Sequence, residues 1–415
     1  MSAPVLAVDF GTSNSAAAVL DGGVPRRLGI EPGADTLPTS VFFPSDGGPM
    51  CIGSAANDAL IEGEEGRYMR ALKSILGTPL FHESRPIGGR RRTLAEIVTG
   101  FLSTLKVRAE AETATSFTRV LSGRPVHFHS RDNDRDGKAE DDLRACYLAA
   151  GFEEVRFLYE PEAAARACSG LSAKGEAGLI VDIGGGTSDF SVFRAAGCSV
   201  DILASHGIRL GGTDFDRKIS LDHVMPLMGL GGKMRRAFGA GLLPVPNALY
   251  QELATWAEIP FLYTAETERK LKDMLRFALE PDKIRRLERV IADRLGHELA
   301  FAVEAGKIAA NAHGAGDGID LSIIEAGLHA PTTPAAFSGS LAPFGDRLQE
   351  AMSETLVRAG TRPEDIRTAI LVGGSSLMEI VVTAVRTVCR QAQVQRSEAF
   401  TAVVDGLALA SGEGW

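Results

Sequence analysis

A chain of 415 residues, 45% hydrophobic and 23% charged, is too long for one compact core and predicts two large domains or one split domain. Its net charge of −9 sets aside generic binding to nucleic acid or to anionic membranes, both of which would repel it. No apolar run approaches the roughly 18 residues that a bilayer crossing needs. The five scattered cysteines include no C-x-x-C pair, and no charged leader precedes the strand-like residues 5–8. Together these predict a cytoplasmic protein with reduced thiols.

Residues 5–8 form an apolar strand that runs into Asp9, Gly11 and Thr12, and residues 15–20 resume as a second apolar strand. Arg90-Arg91-Arg92 reads as a solvated loop. Residues 94–114 predict an amphipathic helix, with Ile97, Val98, Phe101, Leu102 and Leu105 on one face. His127-Phe128-His129 lacks a third metal ligand nearby and reads as a strand–loop junction. The polar stretch 131–138 predicts an exposed loop, followed by a helix over 139–150 and another that starts at Pro161 and ends near Gly170.

The opening pattern then recurs: residues 179–181 lead to Asp182, Gly184, Gly185, Gly186 and Thr187, and an apolar strand follows over 190–193. Gly229 to Lys233 lacks the complete phosphate-loop motif and reads as a surface loop. Residues 265–311 predict two long helices broken at Glu280-Pro281, with leucines along one face. A third glycine turn, Gly373-Gly374-Ser375-Ser376, follows a strand over 369–372, and a last helix spans 403–411 and stops at Gly412.

A strand–turn–strand unit is a β-hairpin, whereas phosphate loops of the Walker and dinucleotide kinds connect a strand to a helix. Two such hairpins, their aspartates 173 residues apart (182 minus 9), predict an internal duplication. Glycine lets the backbone approach a phosphate chain closely, and neighbouring Thr and Ser add hydroxyl donors. An aspartate at each strand end suits Mg²⁺ held through water, since magnesium keeps much of its hydration shell. Facing hairpins would clamp a nucleotide's phosphates from both sides.

The segments Val8-Asp9-Phe10-Gly11-Thr12-Ser13-Asn14-Ser15 and Val181-Asp182-Ile183-Gly184-Gly185-Gly186-Thr187-Ser188-Asp189-Phe190 resemble the two phosphate motifs of the actin, hexokinase and heat-shock ATPase superfamily. Leu158-Tyr159-Glu160-Pro161-Glu162-Ala163-Ala164-Ala165, the run from His206 to Asp216 that contains Leu210-Gly211-Gly212-Thr213, and Ile370-Leu371-Val372-Gly373-Gly374-Ser375-Ser376 narrow the resemblance to DnaK-type heat-shock chaperones. The C-terminal stretch lacks that family's N-P-D and resembles the divergent YegD-like branch. The resemblance implies an α/β actin-like ATPase fold of two duplicated, ribonuclease-H-like lobes around a central nucleotide cleft. The lobes would be residues 1–176, with an insertion at about 36–116, and 177–415, with a helical insertion at about 217–312.

By the same resemblance, ATP or ADP with Mg²⁺ is the ligand. Asp9 and Asp182 would hold the metal through water, while Lys73, Glu160, Asp182, Thr187 and Asp189 would serve hydrolysis. Gly11, Thr12, Ser13, Asn14, Gly184, Gly185, Gly186, Gly211, Gly212 and Thr213 would surround the phosphates. Glu304, Lys307, Asn311, Gly373, Gly374, Ser375 and Leu377 would face the nucleoside. Asn311 stands where the family has serine, and Leu377 where it has an arginine that stacks on adenine. Read from the residues alone, Lys73 is a solvated helix lysine, and Glu160 is an N-cap before a proline-initiated helix. The family's acidic linker and peptide-binding domain would follow at the chain's end, so the resemblance covers its nucleotide-binding part. It implies a slow ATPase switch whose state a co-chaperone or client reads. A small-molecule kinase, an actin-like filament ATPase and a non-catalytic nucleotide-binding module remain as alternatives.

Overall fold

A computed structural model describes residues 4–128, 133–167, 175–196, 199–313, 318–396 and 401–413. They divide into two compact units. The first is Met1–Gly211 with Arg347–Leu377 and Val381–Trp415, and the second is Gly212–Asp346 with Met378–Ile380.

The first unit is built on two large sheets. One contains β1 (Val5–Phe10), β2 (Asn14–Asp21), β3 (Val24–Arg27), β4 (Arg119–Arg124) and β5 (Glu154–Tyr159), in the order β3-β2-β1-β4-β5, with Leu37–Pro38 also pairing on β2. The other contains β6 (Ala177–Ile183), β7 (Ser188–Ala196), β8 (Ser199–Ile208), β9 (Ile366–Val372) and β10 (Gln393–Arg396), in the order β8-β7-β6-β9-β10. In each, the first three strands form an antiparallel meander and the last two join the central strand in parallel. Parallel pairing requires long crossovers, and helices Leu94–Thr113, Asn133–Ala149, Pro334–Arg358 and Glu379–Val388 provide them. The mixed α/β architecture expected from the sequence is thus present, and the two sheets repeat each other strand for strand.

Local chemistry sets several helix ends. Thr93 accepts from the Glu96 amide at 3.1 Å while the Glu96 carboxylate accepts from the Thr93 amide at 2.8 Å, a reciprocal cap that starts Leu94–Thr113. The next helix begins at Asn133, six residues before the expected start, because charge rather than apolar periodicity stabilises its first turns. Asp134 and Asp136 occupy the positive end of the helix, and Asp136 also accepts from Arg124 at 3.1 Å. The loop expected over 131–138 is therefore helical from Asn133, and 131–132 lie outside the described residues. Arg90–Arg92 is not a loop but a short strand paired with Arg85–Ile87.

The two helices expected over 265–311 are three, Ala265–Phe277, Pro281–Ala292 and Gly296–His313. The unforeseen break falls at Arg294, whose φ of 56° is left-handed and leaves the helical path. The helix after β5 is Glu160–Ala167, and the expected extension to Gly170 lies outside the described residues. Among the described residues, no helix is long and apolar enough to cross a membrane.

The last helix, Ala402–Ser411, ties the first unit together. Val403, Val404, Leu407 and Ala408 pack in one cluster with Ala7, Ala16 and Ala18 of the first sheet and with Ala163, Ala164 and Ala165. Ile180, Phe193 and Ile370 of the second sheet join the same cluster. Small side chains let these layers approach closely. Arg27 on β3 fixes the helix through a forked bond to Asp405, at 3.0 and 2.7 Å.

Candidate functional site

Asp9 and Asp182 occupy the same place in the two sheets, each the penultimate residue of the central strand. Each central strand turns through glycine into its antiparallel partner. At the second turn the Gly184 amide donates to the Thr187 carbonyl at 3.0 Å. Across the first hairpin Asp9 faces Ala16, whereas across the second Asp182 faces Asp189. Two carboxylates directly opposite on one sheet face repel each other, so sheet stability alone does not account for the pair. A side chain on Gly207, opposite Asp189, would put its Cβ 2.5 Å from the Asp189 Oδ1, so that carboxyl uses the space glycine leaves.

Lys73 sits in a short 3-10 turn, Leu72–Ile75, and is buried rather than solvated on a helix. Its Nζ donates to the Glu160 Oε1 at 2.5 Å. Glu160 is itself the first residue of its helix, just ahead of Pro161, rather than the cap before it. Burial works to lower the Lys73 pKa, but Glu160, Asp9 and Asp182 together outweigh it and hold the ammonium above the ordinary lysine range. Burial raises Asp9 to about 7, with the charge of Glu160 adding to the rise and that of Lys73 opposing it. Asp189 also rises to about 7, first through burial and then through Glu160, while a hydrogen bond from Thr187 works the other way. Asp182 is pushed well above the usual carboxylate range by burial and by Glu160, Asp189 and Asp9. These aspartates keep partial contact with solvent, yet protein surrounds them closely enough for desolvation to lead.

Glycine turns line the same region. A Cβ on Gly185 would lie 2.7 Å from the Ser13 Oγ, and one on Gly211 would lie 2.6 Å from the Gly185 carbonyl and the Gly186 amide. Gly373, at φ 80°, packs against the end of β6, where a Cβ would lie 2.9 Å from the Asp182 Oδ1. Gly374–Leu377 follows as a 3-10 turn held by Ser376 donating to the Gly373 carbonyl at 2.7 Å. The first unit therefore brings together Asp9, Gly11, Thr12, Ser13, Asn14, Lys73, Glu160, the Gly184–Thr187 turn, Asp189, Gly211 and the Gly373–Ser375 turn.

Residues 83–229 match the family model described as Hsp70 protein. That window is about a third of the chain, and its similarity to Hsp70 proteins embraces Glu160, Asp182, Asp189 and Gly211. Asp9, Lys73 and the Gly373 turn lie outside it.

Asp182 and Leu377 also lie in the first unit, whereas Gly212, Thr213, Glu304, Lys307 and Asn311 fall in the second. Gly212 and Thr213 open the helix Gly212–Ile219, and Glu304, Lys307 and Asn311 lie on Gly296–His313. Lys307 is buried and pairs with Asp216 at 2.8 Å, a partner that sequence spacing did not disclose. The Asn311 carbonyl accepts from the Glu379 amide at 3.0 Å. His127 borders the cavity beside Glu160, Asp182 and Asp189, and His129 lies outside the described residues.

Whether the residues suit a magnesium nucleotide can be judged from charge and space. Among the described residues, no three His, Cys, Asp or Glu side chains converge as direct metal ligands. Asp9, Asp182, Asp189 and Glu160 nonetheless face a single lysine, an acid excess that a hydrated divalent cation would relieve. Side chains at Gly11, Gly185, Gly211 and Gly373 would crowd neighbouring atoms, which keeps those turns bare. The donor set fits a metal held through water.

The raised carboxyls carry a consequence for stability. Asp9 and Asp189 bind protons more tightly in the fold, at about 7, than at the ordinary 3.8 of the unfolded chain. Their contribution is complete below pH 4 and is lost as pH rises through 7. Asp189→Asn should therefore stabilise the ligand-free protein at pH 8 by on the order of 1–3 kcal/mol, with little gain at pH 4. Thermal melts at the two pH values check this, and an equal shift at both would show that desolvation of the carboxylate is not the cause.

Proposed function

We propose that this chain binds ATP or ADP with Mg²⁺ and hydrolyses ATP slowly, as a heat-shock-type molecular switch. The observation that carries the reading is the cluster of Asp9, Asp182, Asp189 and Glu160 around Lys73, between two glycine hairpins on sheets of identical order. The similarity of residues 83–229 to Hsp70 proteins, a family of ATPases, supports it. In this reading the fold is the actin-like ATPase architecture. Its lobes are 1–176 and 177–415, with insertions at about 36–116 and 217–312, and the C-terminal stretch groups the chain with the YegD-like branch in this reading.

The chemistry follows from the residues. The hairpin amides and the hydroxyls of Thr12, Ser13 and Thr187 would hold the phosphate chain, and Asp9 and Asp182 would hold the metal through water. Bound magnesium supplies divalent charge that neutralises the phosphates. Lys73 stabilises charge on the phosphoryl group in flight, while Asp189 orients the attacking water and Glu160 accepts its proton. Gly373, Gly374, Ser375 and Leu377 of the first unit would contact the nucleoside, with Leu377 offering apolar packing to the base. Closure around ATP and relaxation after hydrolysis are the signal that a client or co-chaperone reads.

Single-turnover hydrolysis with Mg-ATP as sole substrate tests the reading, with Asp182→Asn as control and light scattering recorded in parallel. The expected result is acceptor-independent phosphate release, lost in the variant, without assembly. Turnover that requires an added hydroxyl acceptor would point to a kinase. Scattering that grows with Mg-ATP would point to a filament, and tight binding without turnover to a passive module.

A further inference from the structure

We infer that Asp142 is a positioning residue for Lys73, holding the lysine's turn against the helix that also braces Glu160. The inference rests on the proposed role of Lys73 in hydrolysis. Lys73 is carried by a short turn with unusual backbone at both ends: Ala71 before it is left-handed at φ 58°, and Gly77 after it has φ 73°. A left-handed alanine is disfavoured by its Cβ, so a turn of this shape needs outside contacts to hold it.

Those contacts come from the Asn133–Ala149 helix. The Gly77 amide donates to the Asp142 Oδ2 at 2.8 Å, and the other oxygen of this buried carboxylate meets the His82 Nε2 at 2.8 Å. A side chain on Gly77 would collide with the Arg135 carbonyl and come within 3.0 Å of the Ala139 Cβ, so the turn is seated directly on the helix. Leu72 and Leu76 bury in the same core cluster as Ala139 and Leu143.

The other partner of the Lys73 bond is fixed to the same helix. Arg144 donates to the Val155 carbonyl on β5 at 2.6 Å. Arg124, paired with Glu140 and Asp136, stacks 5.2 Å from the ring of Tyr159, the residue before Glu160. One rigid helix is thus the common reference for both ends of the Lys73–Glu160 hydrogen bond. Asp142 is its polar contact with the lysine side.

The test is single-turnover hydrolysis and ATP affinity of the full chain carrying Asp142→Ala, alone and combined with Lys73→Ala. The expected result is a rate at least tenfold lower with ATP affinity within threefold of the parent. Asp142→Asn, which keeps an acceptor for the Gly77 amide, should recover most of the rate. In the Lys73→Ala background Asp142→Ala should cause no further loss. Asp142→Ser leaves a hydroxyl but is too short to hold Gly77, and it replaces the alanine variant if that one does not fold. A folded Asp142 variant with the parental rate overturns the positioning role, as does an equal loss with and without Lys73. If Lys73→Ala itself hydrolyses ATP normally, it is the reading of the lysine that fails.

Discussion

Lys73→Ala is expected to lower single-turnover ATP hydrolysis by at least about a hundredfold, equivalent to roughly 3 kcal/mol of transition-state stabilisation. Lys73 is the cation that opposes the raised pKa values of Asp9, Asp182 and Asp189, and it donates directly to Glu160. Removing it takes away charge stabilisation on the phosphoryl group and leaves four carboxyls facing one another. The pKa values of Asp9, Asp182 and Asp189 should rise further, because the favourable charge that opposed their rise is gone. Lys73→Arg retains charge, but its planar fork does not reproduce a buried ammonium's single short bond to Glu160, so rescue should be slight. Quenched-flow measurement of phosphate release decides the matter. A parental rate in a folded Lys73→Ala protein would remove the lysine from the mechanism.

Gly406→Ala should be the most damaging single methyl in the chain. Helix propensity alone favours alanine over glycine within a helix by about 1 kcal/mol. Here, however, a Cβ at Gly406 would fall far inside van der Waals contact with the Ala163 carbonyl, carbonyl carbon and Cα. Backbone cannot swing aside as a flexible side chain can, so the Ala402–Ser411 and Glu160–Ala167 helices must separate. Separation opens the cluster that unites both sheets and displaces Glu160 at the head of the second helix. The cost should exceed roughly 4 kcal/mol, the upper range for overpacked cores and strained sites. Thermal and urea melts should show a fall in midpoint large enough to lose the cooperative transition at 37 °C. An unchanged or raised midpoint would mean that propensity dominates and the helices are not in close contact.

What could be read from the sequence was whatever is encoded locally. The Asp9 and Asp182 hairpins announce themselves because strand, aspartate, glycine turn and return strand are contiguous, and both hairpins are antiparallel in the structure. Lys73 and Glu160 are 87 positions apart, and only motif resemblance suggested that they belong together. The start of the helix at Asn133 was hidden because its first turns carry charge instead of apolar periodicity. The break at Arg294 was hidden because the left-handed position is held by an arginine rather than a glycine. Asp142 on Gly77 and Asp216 on Lys307 were illegible for a different reason: each joins an ordinary acid to a distant group, and no local pattern signals the pairing.

The last helix also bears on how the chain reaches this state. Its layer against the first sheet cannot form until residues 402–411 exist, almost 400 positions after β1 is made. At typical synthesis rates of about 5–20 residues per second, the early strands wait roughly 20–80 s with an apolar face unsealed. During that interval the alanine-rich surface of β1 and β2 is open to wrong partners. The yield of folded chain should therefore be more sensitive to growth temperature than the stability of the finished fold would suggest.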